Sequence, residues 1–249
     1  MNHVVLITGG SGGIGSAVAR RAVARGARVA LVARGAERLE ALRDELGAAV
    51  YCGDVLDFDA MGEIVARVER DVGEIDGVVN AVGSVFLRPL HATTLADWRA
   101  TYEINVTSAF VLMRHAMPPM MRRKRGSVVL FSTVAASMGL PNHESIAAAK
   151  SAVEGLVRTA AISYARYNIR INAVAPALTR TRLAESIWGN ELMLKASIAM
   201  HPLGRIGEPE DIAPAVDYFL DDASAWTTGQ ILGVDGGLGV GQPTPKTTV

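Results

Sequence analysis

Glycine residues dominate the segment at residues 8–15, directly after the apolar run at residues 4–7. Glycine can adopt positive φ and lets a ligand approach the backbone closely. A helix is predicted next, and its N-terminus would offer free N–H groups and a partial positive charge to an anion. This order of strand, glycine turn and helix predicts a pyrophosphate site; the alternative is a glycine-rich turn with a purely structural use.

Apolar runs alternate with amphipathic segments along the chain, which indicates a parallel sheet covered by helices on both faces. Strands are predicted at residues 4–7, 29–32, 49–52, 77–80, 127–131, 169–174 and 230–234. Helices are predicted at residues 15–25, 37–46, 58–72, 95–121, 145–167 and 211–220. The helix at residues 95–121 is interrupted near Asn105 and ends near Pro118 and Pro119. The predicted fold class is α/β, a doubly wound, three-layer parallel sheet in a single domain at residues 1–249.

Two segments do not fit this regular alternation. Residues 178–200 have the least regular pattern and are predicted to form a mobile lid over a substrate pocket. Residues 239–249 form a polar C-terminal tail with two prolines, and we expect it to be ordered only by contacts elsewhere.

The composition favours a globular protein without a nucleic-acid partner. Hydrophobic residues make up 49% of the 249 residues and charged residues 20%, as in a well-packed domain. The 25 Lys and Arg residues balance the 25 Asp and Glu residues, so no excess of positive charge exists to neutralise phosphates. Because the net charge is zero, little repulsion opposes association between subunits.

Three absences narrow the function classes further. Cys52 is the only cysteine, so neither an intrachain disulfide nor a thiolate zinc site is available, and no metal site is predicted. No run of about 18 apolar residues occurs, so no transmembrane helix is expected. The first apolar run is too short for a secretory signal, and we expect a cytoplasmic protein.

The glycine turn resembles the TGxxxGxG motif of the short-chain dehydrogenase/reductase family, and further segments resemble that family along almost the whole chain. Residues 80–83 resemble its NNAG motif, with Ala81 at the second Asn and Val82 at the Ala. Residues 176–181 resemble its PGxxxT motif, with Ala177 at the Gly. Other segments resemble the Asp after the third strand, the helix asparagine and the C-terminal blocks: Asp54, Val55, Asn105 and residues 201–205 and 234–237.

This resemblance implies a Rossmann-like fold that binds NAD(P). Carried over position by position, it implies that the cofactor contacts Gly9, Ser11, Gly13, Ile14, Gly15, Arg34, Asp54, Val55, Asn80, Lys150, Pro176 and Thr179.

The end of the second predicted strand bears on the choice between NAD and NADP. An acidic residue there would bind the ribose 2′-hydroxyl and select NAD. This chain has Ala33 followed by Arg34, a pairing that in the family favours NADP, because a guanidinium can bind a 2′-phosphate through two hydrogen bonds. The alternative is that Arg34 is a solvated arginine at a strand end.

The sequence departs from the family's pattern at the residue that donates the proton. In that family a tyrosine exchanges a proton with the substrate oxygen, a lysine four residues later assists it, and a serine holds the oxygen. Lys150 is present, and Thr133 stands at the serine position, thirteen residues before Ile146. Ile146 itself stands at the tyrosine position and has no ionisable group. The family's catalytic positions Asn105, Thr133 and Lys150 are therefore predicted to be non-functional in catalysis.

A shift of the alignment does not supply the missing tyrosine, because no tyrosine lies between Tyr102 and Tyr164. His143 is the best substitute donor, since histidine titrates near neutral pH; the alternative is a histidine exposed in a loop. The family's lysine also holds the hydroxyl groups of the nicotinamide ribose. Lys150 could therefore be kept for cofactor binding without turnover.

The first functional hypothesis is a non-catalytic subunit that supports an active sibling with an intact YxxxK motif, in a homo- or hetero-tetramer. The resemblance implies four-helix interfaces that use residues 95–121 and 145–167, where small side chains would allow close approach: Ala147, Ala148, Ser151 and Gly155. One family precedent is 2-[hydroxy(phenyl)methyl]succinyl-CoA dehydrogenase of anaerobic toluene degradation, a heterotetramer that mixes a degenerate subunit with a functional one.

Two other hypotheses stay open. The second is an active NAD(P)H-dependent carbonyl or enoyl reductase whose proton comes from His143, Thr133 or a water molecule. The third is a nucleotide-sensing regulator. The sequence does not identify the substrate. Candidate apolar lining residues of the pocket are Trp188, Met193 and Met200, and Arg180 and Arg182 are candidates for binding a carboxylate or a coenzyme A phosphate, or else are solvated.

Overall fold

A computed structural model describes residues 3–241. Seven strands form one sheet in the order β3-β2-β1-β4-β5-β6-β7, and every neighbouring pair is parallel. The strands are β1 (Val4–Thr8), β2 (Arg28–Ala33), β3 (Ala49–Cys52), β4 (Ile75–Asn80), β5 (Gly126–Phe131), β6 (Ile169–Pro176) and β7 (Ile231–Val234). All seven strands were predicted from the sequence, to within a few residues at each end.

Helices cover both faces of the sheet, as expected for a doubly wound fold. They are α1 (Gly13–Ala24), α2 (Ala36–Leu46), α3 (Phe58–Asp71), α4 (Leu95–Tyr102), α5 (Ser108–Arg123), α6 (Glu144–Tyr164), α7 (Glu185–Trp188), α8 (Glu191–Met200) and α9 (Pro209–Leu220). Neighbouring strand residues face opposite layers. Leu6 therefore packs in the core under α3, α5 and α6, whereas Ile7 packs in the core under α1, α2 and α9.

The strand order places a crevice at the carboxyl end of β1. Because β1 lies between β2 and β4, the chain runs outward in opposite directions from this point of the sheet. In open parallel sheets, ligands bind in the crevice at such a reversal. The predicted single α/β domain with three layers is confirmed.

The helix predicted at residues 95–121 is observed as α4, a π-helical turn and α5, and its C-terminal end differs from the prediction. Its interruption near Asn105 is confirmed, as a π-helical turn at Glu103–Thr107. The predicted end near Pro118 is wrong, since α5 continues to Arg123. Pro118 and Pro119 remove two N–H donors, but Pro119 and Met120 are buried, and this packing holds the last turn together.

The segment at residues 178–200 contains two helices, α7 and α8, rather than irregular chain. The side chain of Asn190 accepts a hydrogen bond from the N–H of Met193 and so caps the start of α8. Of the tail expected at residues 239–249, residues 242–249 lie outside the described residues. Within residues 3–241, no helix has the length and apolar character needed to cross a membrane.

Candidate functional site

The glycine turn after β1 allows contacts that other residues would prevent. Gly9 has a φ of +70°, and a Cβ added there would lie 2.7 Å from the carbonyl carbon of Ala81. A Cβ on Gly15 would overlap the carbonyl oxygen of Gly9. Only glycine therefore lets the turn pack against the chain that follows β4, at the crevice of the sheet.

Helix α1 begins in this turn and presents unpaired N–H groups. The amide of Gly12 donates to Gly9 O at 2.9 Å, and the amide of Ser16 donates to Gly12 O at 2.9 Å. Between them, the amides of Gly13, Ile14 and Gly15 have no acceptor within the described part of the chain. The first turn also lacks an acidic residue. These donors and the helix dipole fit an anionic diphosphate, with the half-buried Ser11 beside them.

Two arginines lie near the end of β2. Arg34 is exposed, and its carbonyl oxygen accepts a hydrogen bond from Cys52 Sγ at 3.3 Å. Arg38, in the first turn of α2, lies beside Gly35, where an added Cβ would be 3.6 Å from Arg38 Nη2. Within residues 3–241, neither guanidinium makes an ion pair. Sequence reasoning missed Arg38, which lies in the first turn of α2, whereas Arg34 lies before that helix.

The chain after β3 carries the next two predicted contacts. Asp54 is half-buried, and its Oδ1 accepts a hydrogen bond from the N–H of Leu56 at 3.0 Å. The other carboxylate oxygen of Asp54 has no partner among the residues that the structure describes. Val55 packs into the core. Asp54 is thus held at the same edge of the sheet as the glycine turn, with one oxygen free for a ligand.

Asn80, at the end of β4, uses its side chain within the protein. Its Oδ1 accepts from Thr8 Oγ1 at 2.8 Å and from the N–H of Val82 at 3.4 Å, and its Nδ2 donates to Ser108 Oγ at 3.1 Å. The side chain is buried. Asn80 therefore holds β1, the loop after β4 and the start of α5 together and so positions the crevice.

The ends of β5 and β6 contribute three further predicted residues. Thr133 Oγ1 donates to the carbonyl oxygen of Pro176 at 3.4 Å and accepts from the N–H of Ala135 at 3.4 Å. Thr179 is buried, and its Oγ1 donates to Ala177 O at 3.1 Å. These long hydrogen bonds leave the Thr133 hydroxyl able to turn towards a ligand.

A cavity of about 670 Å³ opens beside these strand ends. Its floor comes from the loops after β4, β5 and β6, and its roof from the segment at residues 183–200. Its lining is mostly apolar and contains no tyrosine within residues 3–241. The titratable lining residues are Lys150, His143 and His201; Ile14, Thr133, Ile146, Pro176 and Thr179 also line it.

Ile146 and Lys150 are one helical turn apart on α6 and face the cavity together. Their exposed fractions are 5% and 7%. Lys150 Nζ donates to the carbonyl oxygen of Phe131 at 2.9 Å. Burial lowers the pKa of Lys150 from 10.5 to about 8, because desolvation disfavours the ammonium form.

Asn105 projects from the π-helical turn towards the same corner. Its Nδ2 donates to Thr101 O at 2.8 Å and to Ser84 Oγ at 3.0 Å, while its Oδ1 accepts from the N–H of Ser84 at 3.2 Å. A Cβ added at Gly83 would lie 3.0 Å from Asn105 Oδ1 and 3.5 Å from Lys150 Nζ. The structure therefore places Thr133, Ile146 and Lys150 on the cavity, and Asn105 near Lys150 beside Gly83.

Two histidines line the cavity. His143, at the start of α6, is half-buried rather than exposed, and its Nδ1 lies 2.7 Å from Pro141 O. His201, just after α8, is buried, and its Nδ1 lies 2.6 Å from Ser197 O. Sequence reasoning missed His201, because nothing in the sequence places the residue before Pro202 at the cavity.

The segment at residues 178–200 supplies only part of the lining that was predicted from it. Met193 and Met200 line the cavity, but Trp188 does not. The indole N–H of Trp188 donates to Thr181 O at 2.8 Å, and the Arg180 guanidinium lies over its ring at 5.0 Å. Arg180 also pairs with Glu208 at 3.0 Å. Neither Arg180 nor Arg182 lines the cavity.

Comparison with known proteins agrees with this architecture. A family model described as enoyl-(acyl carrier protein) reductase matches residues 9–239. The chain is 35% identical over 246 residues to 2-(S)-hydroxypropyl-CoM dehydrogenase 3 of Xanthobacter autotrophicus, covering 95% of this chain and 96% of that protein. It is also 35% identical over 227 residues to inactive 2-(S)-hydroxypropyl-CoM dehydrogenase 2 of the same organism, covering 89% and 99%.

Comparison with solved structures also finds proteins with this fold. A short-chain type dehydrogenase/reductase from Mycobacterium ulcerans matches with a TM-score of 0.92 and 32% identity, over 97% of this chain and 91% of that one. ElxO with NADP bound, and its tyrosine-to-phenylalanine variant with NADPH bound, each match with a TM-score of 0.89 and 29% identity, over 96% of this chain and 99% of theirs. These NADP-bound neighbours support NAD(P) binding at the crevice.

Proposed function

Because this chain belongs to the short-chain dehydrogenase/reductase family of oxidoreductases, we propose that it is a non-catalytic, NAD(P)-binding subunit of a hetero-oligomeric dehydrogenase. Its role would be to support a sibling subunit that carries an intact YxxxK motif. The proposal goes beyond family membership in two respects, the loss of catalysis and the partner.

The observation that carries the proposal is the position of Ile146 on the cavity, one turn before Lys150 on α6. Transfer of a hydride to a carbonyl requires a proton for the developing alkoxide. An isoleucine side chain cannot deliver one, and loss of a general acid typically costs about 10²–10⁴ in rate. No tyrosine within residues 3–241 lines the cavity to replace it.

Two relatives support this interpretation. One curated protein 35% identical to this chain carries the description inactive, so non-catalytic members occur among its relatives. A tyrosine-to-phenylalanine variant of ElxO has NADPH bound. A family member can therefore bind NADPH although one of its tyrosines has been replaced by phenylalanine.

The proposed cofactor is NADP, bound without turnover. Arg34 and Arg38 lie at the end of β2 without a carboxylate partner in the described chain. Two guanidinium groups there favour a dianionic 2′-phosphate over a neutral hydroxyl. In this role Lys150 would hold the hydroxyl groups of the nicotinamide ribose rather than assist proton transfer.

The partner is proposed to bind the α5 and α6 faces. Ile162 on α6 is 80% exposed, and Phe110 on α5 is 51% exposed, so each helix has a large apolar side chain that a partner could cover. On α6 a Cβ added at Gly155 would meet no atom within 4 Å. The small side chains near it, Ala147, Ala148 and Ser151, would let a second helix approach closely.

The substrate class of the assembly is proposed to be a hydroxyacyl-CoA thioester, as in the heterotetrameric dehydrogenase of anaerobic toluene degradation. The apolar cavity suits the acyl part. Arg180 is a poor candidate for the coenzyme A phosphate, because Glu208 and the ring of Trp188 already hold its guanidinium. Arg182 is exposed and remains the better candidate of the two.

One observation favours a second function, that of an active NAD(P)H-dependent reductase. His143 lines the cavity, and its imidazole could serve as a proton donor without the tyrosine. Reduction of an activated C=C bond would not require the same proton donor as reduction of a carbonyl. The family model that matches this chain is described as an enoyl-(acyl carrier protein) reductase.

Purification from the native source tests the proposal. A tagged copy of this chain should retain a second family member with an intact YxxxK motif in a stoichiometric amount. The variant Gly155→Leu should lose that partner, whereas Gly139→Leu, whose added Cβ also meets no atom within 4 Å, should keep it. Recovery of this chain alone, together with turnover by the single chain, would favour the active reductase instead.

A further inference from the structure

Lys150 places a primary amine in the wall of the large cavity. The residue lines the cavity and is 7% exposed. Its Nζ lies between two other lining residues, since it donates to Phe131 O at 2.9 Å and lies 3.5 Å from where a Cβ on Gly83 would be. Apart from the residues adjoining Gly83, the only other described atom within 4 Å of that position is Asn105 Oδ1. The missing side chain of Gly83 therefore leaves space beside the amine.

The hydrogen bonding of Nζ leaves its lone pair free when the amine is neutral. Within residues 3–241, the carbonyl oxygen of Phe131 is the only hydrogen-bond acceptor of Nζ. A neutral primary amine can keep this bond through one N–H and still present its lone pair. Ile146, one turn earlier on α6, is an alkyl group and offers no hydroxyl to occupy that lone pair. The amine is thus held in place but not blocked.

The surroundings of Lys150 also favour the neutral form. No Asp or Glu lines the cavity within the described chain, so no carboxylate there stabilises the ammonium. Burial lowers the pKa of Lys150 to about 8, because desolvation disfavours the charged form. About half of the molecules therefore hold the neutral amine at pH 8, whereas a lysine in water, with a pKa of about 10.4, is neutral in well under about 1%. A desolvated lysine in an apolar pocket is a typical nucleophile.

The rest of the wall narrows the class of electrophile. Arginine is also absent from the lining within the described chain, and Lys150 is the only lysine there. Most lining side chains are apolar, among them Val82, Val85, Leu87, Ile187, Met193 and Met200. Burying an ion without a partner is costly, so the wall favours an uncharged ligand. A cavity of about 670 Å³ has room for an aromatic ring or a short alkyl chain.

We propose that Lys150 is a nucleophilic amine that forms a Schiff base with an uncharged, apolar aldehyde bound in this cavity. The neutral Nζ attacks the carbonyl carbon, and a proton moves from nitrogen to oxygen to give a carbinolamine. Loss of water then breaks the C–O bond as the C=N bond forms. The step consumes no oxidant or reductant, and the neutral imine removes the cost of burying an ammonium.

This inference goes beyond the proposed function and does not depend on it. The reaction requires neither a cofactor nor a partner subunit. It applies to the chain without cofactor, in which the hydroxyl groups of the nicotinamide ribose do not engage Nζ. Loss of hydride transfer at position 146 and reactivity of the amine at position 150 are therefore separate properties, and either can fail without the other.

Reductive trapping tests the inference on the full chain without added cofactor. The chain is incubated at pH 8, near the pKa of Lys150, with benzaldehyde and sodium cyanoborohydride, which converts an imine into a stable benzylamine. Mass mapping of the peptides gives the rate of labelling at each amine. Lys150 should be labelled at least about 10-fold faster than the exposed Lys124 and Lys195, because a larger fraction of its amine is neutral.

A charged aldehyde of similar shape provides the matched control. 4-Carboxybenzaldehyde carries a carboxylate that the apolar wall does not pair, so it should label Lys150 at least about 10-fold more slowly than benzaldehyde does. At the exposed Lys124 and Lys195 the two aldehydes should react within about 2-fold of each other, since water solvates both.

Lys150→Arg should lose the fast-labelled site and keep slow labelling at Lys124 and Lys195. The inference is overturned if Lys150 in the wild type is labelled no faster than these two exposed lysines. Equal labelling of Lys150 by both aldehydes, or an undiminished fast phase in Lys150→Arg, would overturn it as well. None of these results would alter the proposed lack of hydride transfer, which is measured with NADPH.

Discussion

Lys150 donates a hydrogen bond from Nζ to the carbonyl oxygen of Phe131, the last residue of β5, at 2.9 Å. One turn before it on α6, the neighbouring side chain is that of Ile146. The ammonium group is thus buried beside an alkyl group, with a backbone carbonyl as its partner. Burial without a carboxylate is the reason for its lowered pKa.

This lowered pKa makes stability depend on pH in a definite direction. Below about pH 8, Lys150 is protonated in both the folded and the unfolded chain, and the cost of burying the charge is fully present. Between the folded pKa of about 8 and the usual 10.5, the unfolded chain binds more protons, so the free energy of unfolding rises with pH. Above 10.5 the cost is absent.

Lys150→Met should remove this dependence. We expect the free energy of unfolding of the wild type, relative to the variant, to rise by about 2 kcal/mol between about pH 7.5 and pH 10. Urea unfolding of both proteins at the two pH values measures this, because other titrating groups cancel in the comparison. A difference that stays constant or falls with pH would show that the folded chain does not disfavour the ammonium form.

Gly83 should tolerate no side chain, because Asn105 and Lys150 converge on it. A Cβ there would lie 3.0 Å from Asn105 Oδ1, which is tied to the N–H of Ser84. Gly83→Ala should therefore lower the stability by about 1–3 kcal/mol, the usual cost of overpacking. Gly139→Ala is the matched control, since its Cβ meets no atom within 4 Å. Thermal unfolding measures the Tm of both variants, and equal Tm values would contradict this prediction.

The arginines at the end of β2 should distinguish the two nicotinamide cofactors. Replacing both Arg34 and Arg38 with Ala should weaken NADPH binding by about 10- to 100-fold, since hydrogen bonds to charged groups contribute about 1.5–3 kcal/mol. Binding of NADH should change little. Quenching of protein fluorescence by each cofactor measures both, and Arg99→Ala on α4 is the control. Equal losses for both cofactors would argue against recognition of a 2′-phosphate.

Sequence patterns predicted the fold because its strands are buried on both faces. All five residues of β1 are buried, and such continuous apolar runs with helices between them are typical of parallel sheets. The glycine turn was also predictable, since its close contacts with Ala81 and within the turn exclude other residues. In these segments the residue types that the local backbone favours are also those that tertiary packing requires.

The structure of residues 178–200 and the end of α5 were less predictable from the sequence, because tertiary packing determines both. Pro118 and Pro119 normally end a helix, yet the buried Pro119 and Met120 keep α5 helical to Arg123. Helix α8 is exposed along much of its length, and of its apolar residues only Met193, Ala196 and Met200 line the cavity. No regular period in the sequence therefore indicated it.

The candidate site was predictable only where a motif fixed each position. Thr133, Ile146 and Lys150 line the cavity, and Asn105 lies near Lys150 beside Gly83. His201 does not follow from any local pattern, because the tertiary structure brings it to the cavity. Trp188 was predicted to line the cavity, but its ring packs against Arg180 instead.

The central claim is that the side chain at position 146 decides whether this chain transfers a proton. Its most direct test is the turnover number of the purified wild type against that of Ile146→Tyr, with NADPH and acetophenone. Ile146→Phe is the control for a ring without a hydroxyl. We expect negligible turnover by the wild type and Ile146→Phe, and a gain of at least about 100-fold in Ile146→Tyr. Wild-type turnover above about 1 s⁻¹, within the ordinary range of enzymes, would contradict the account.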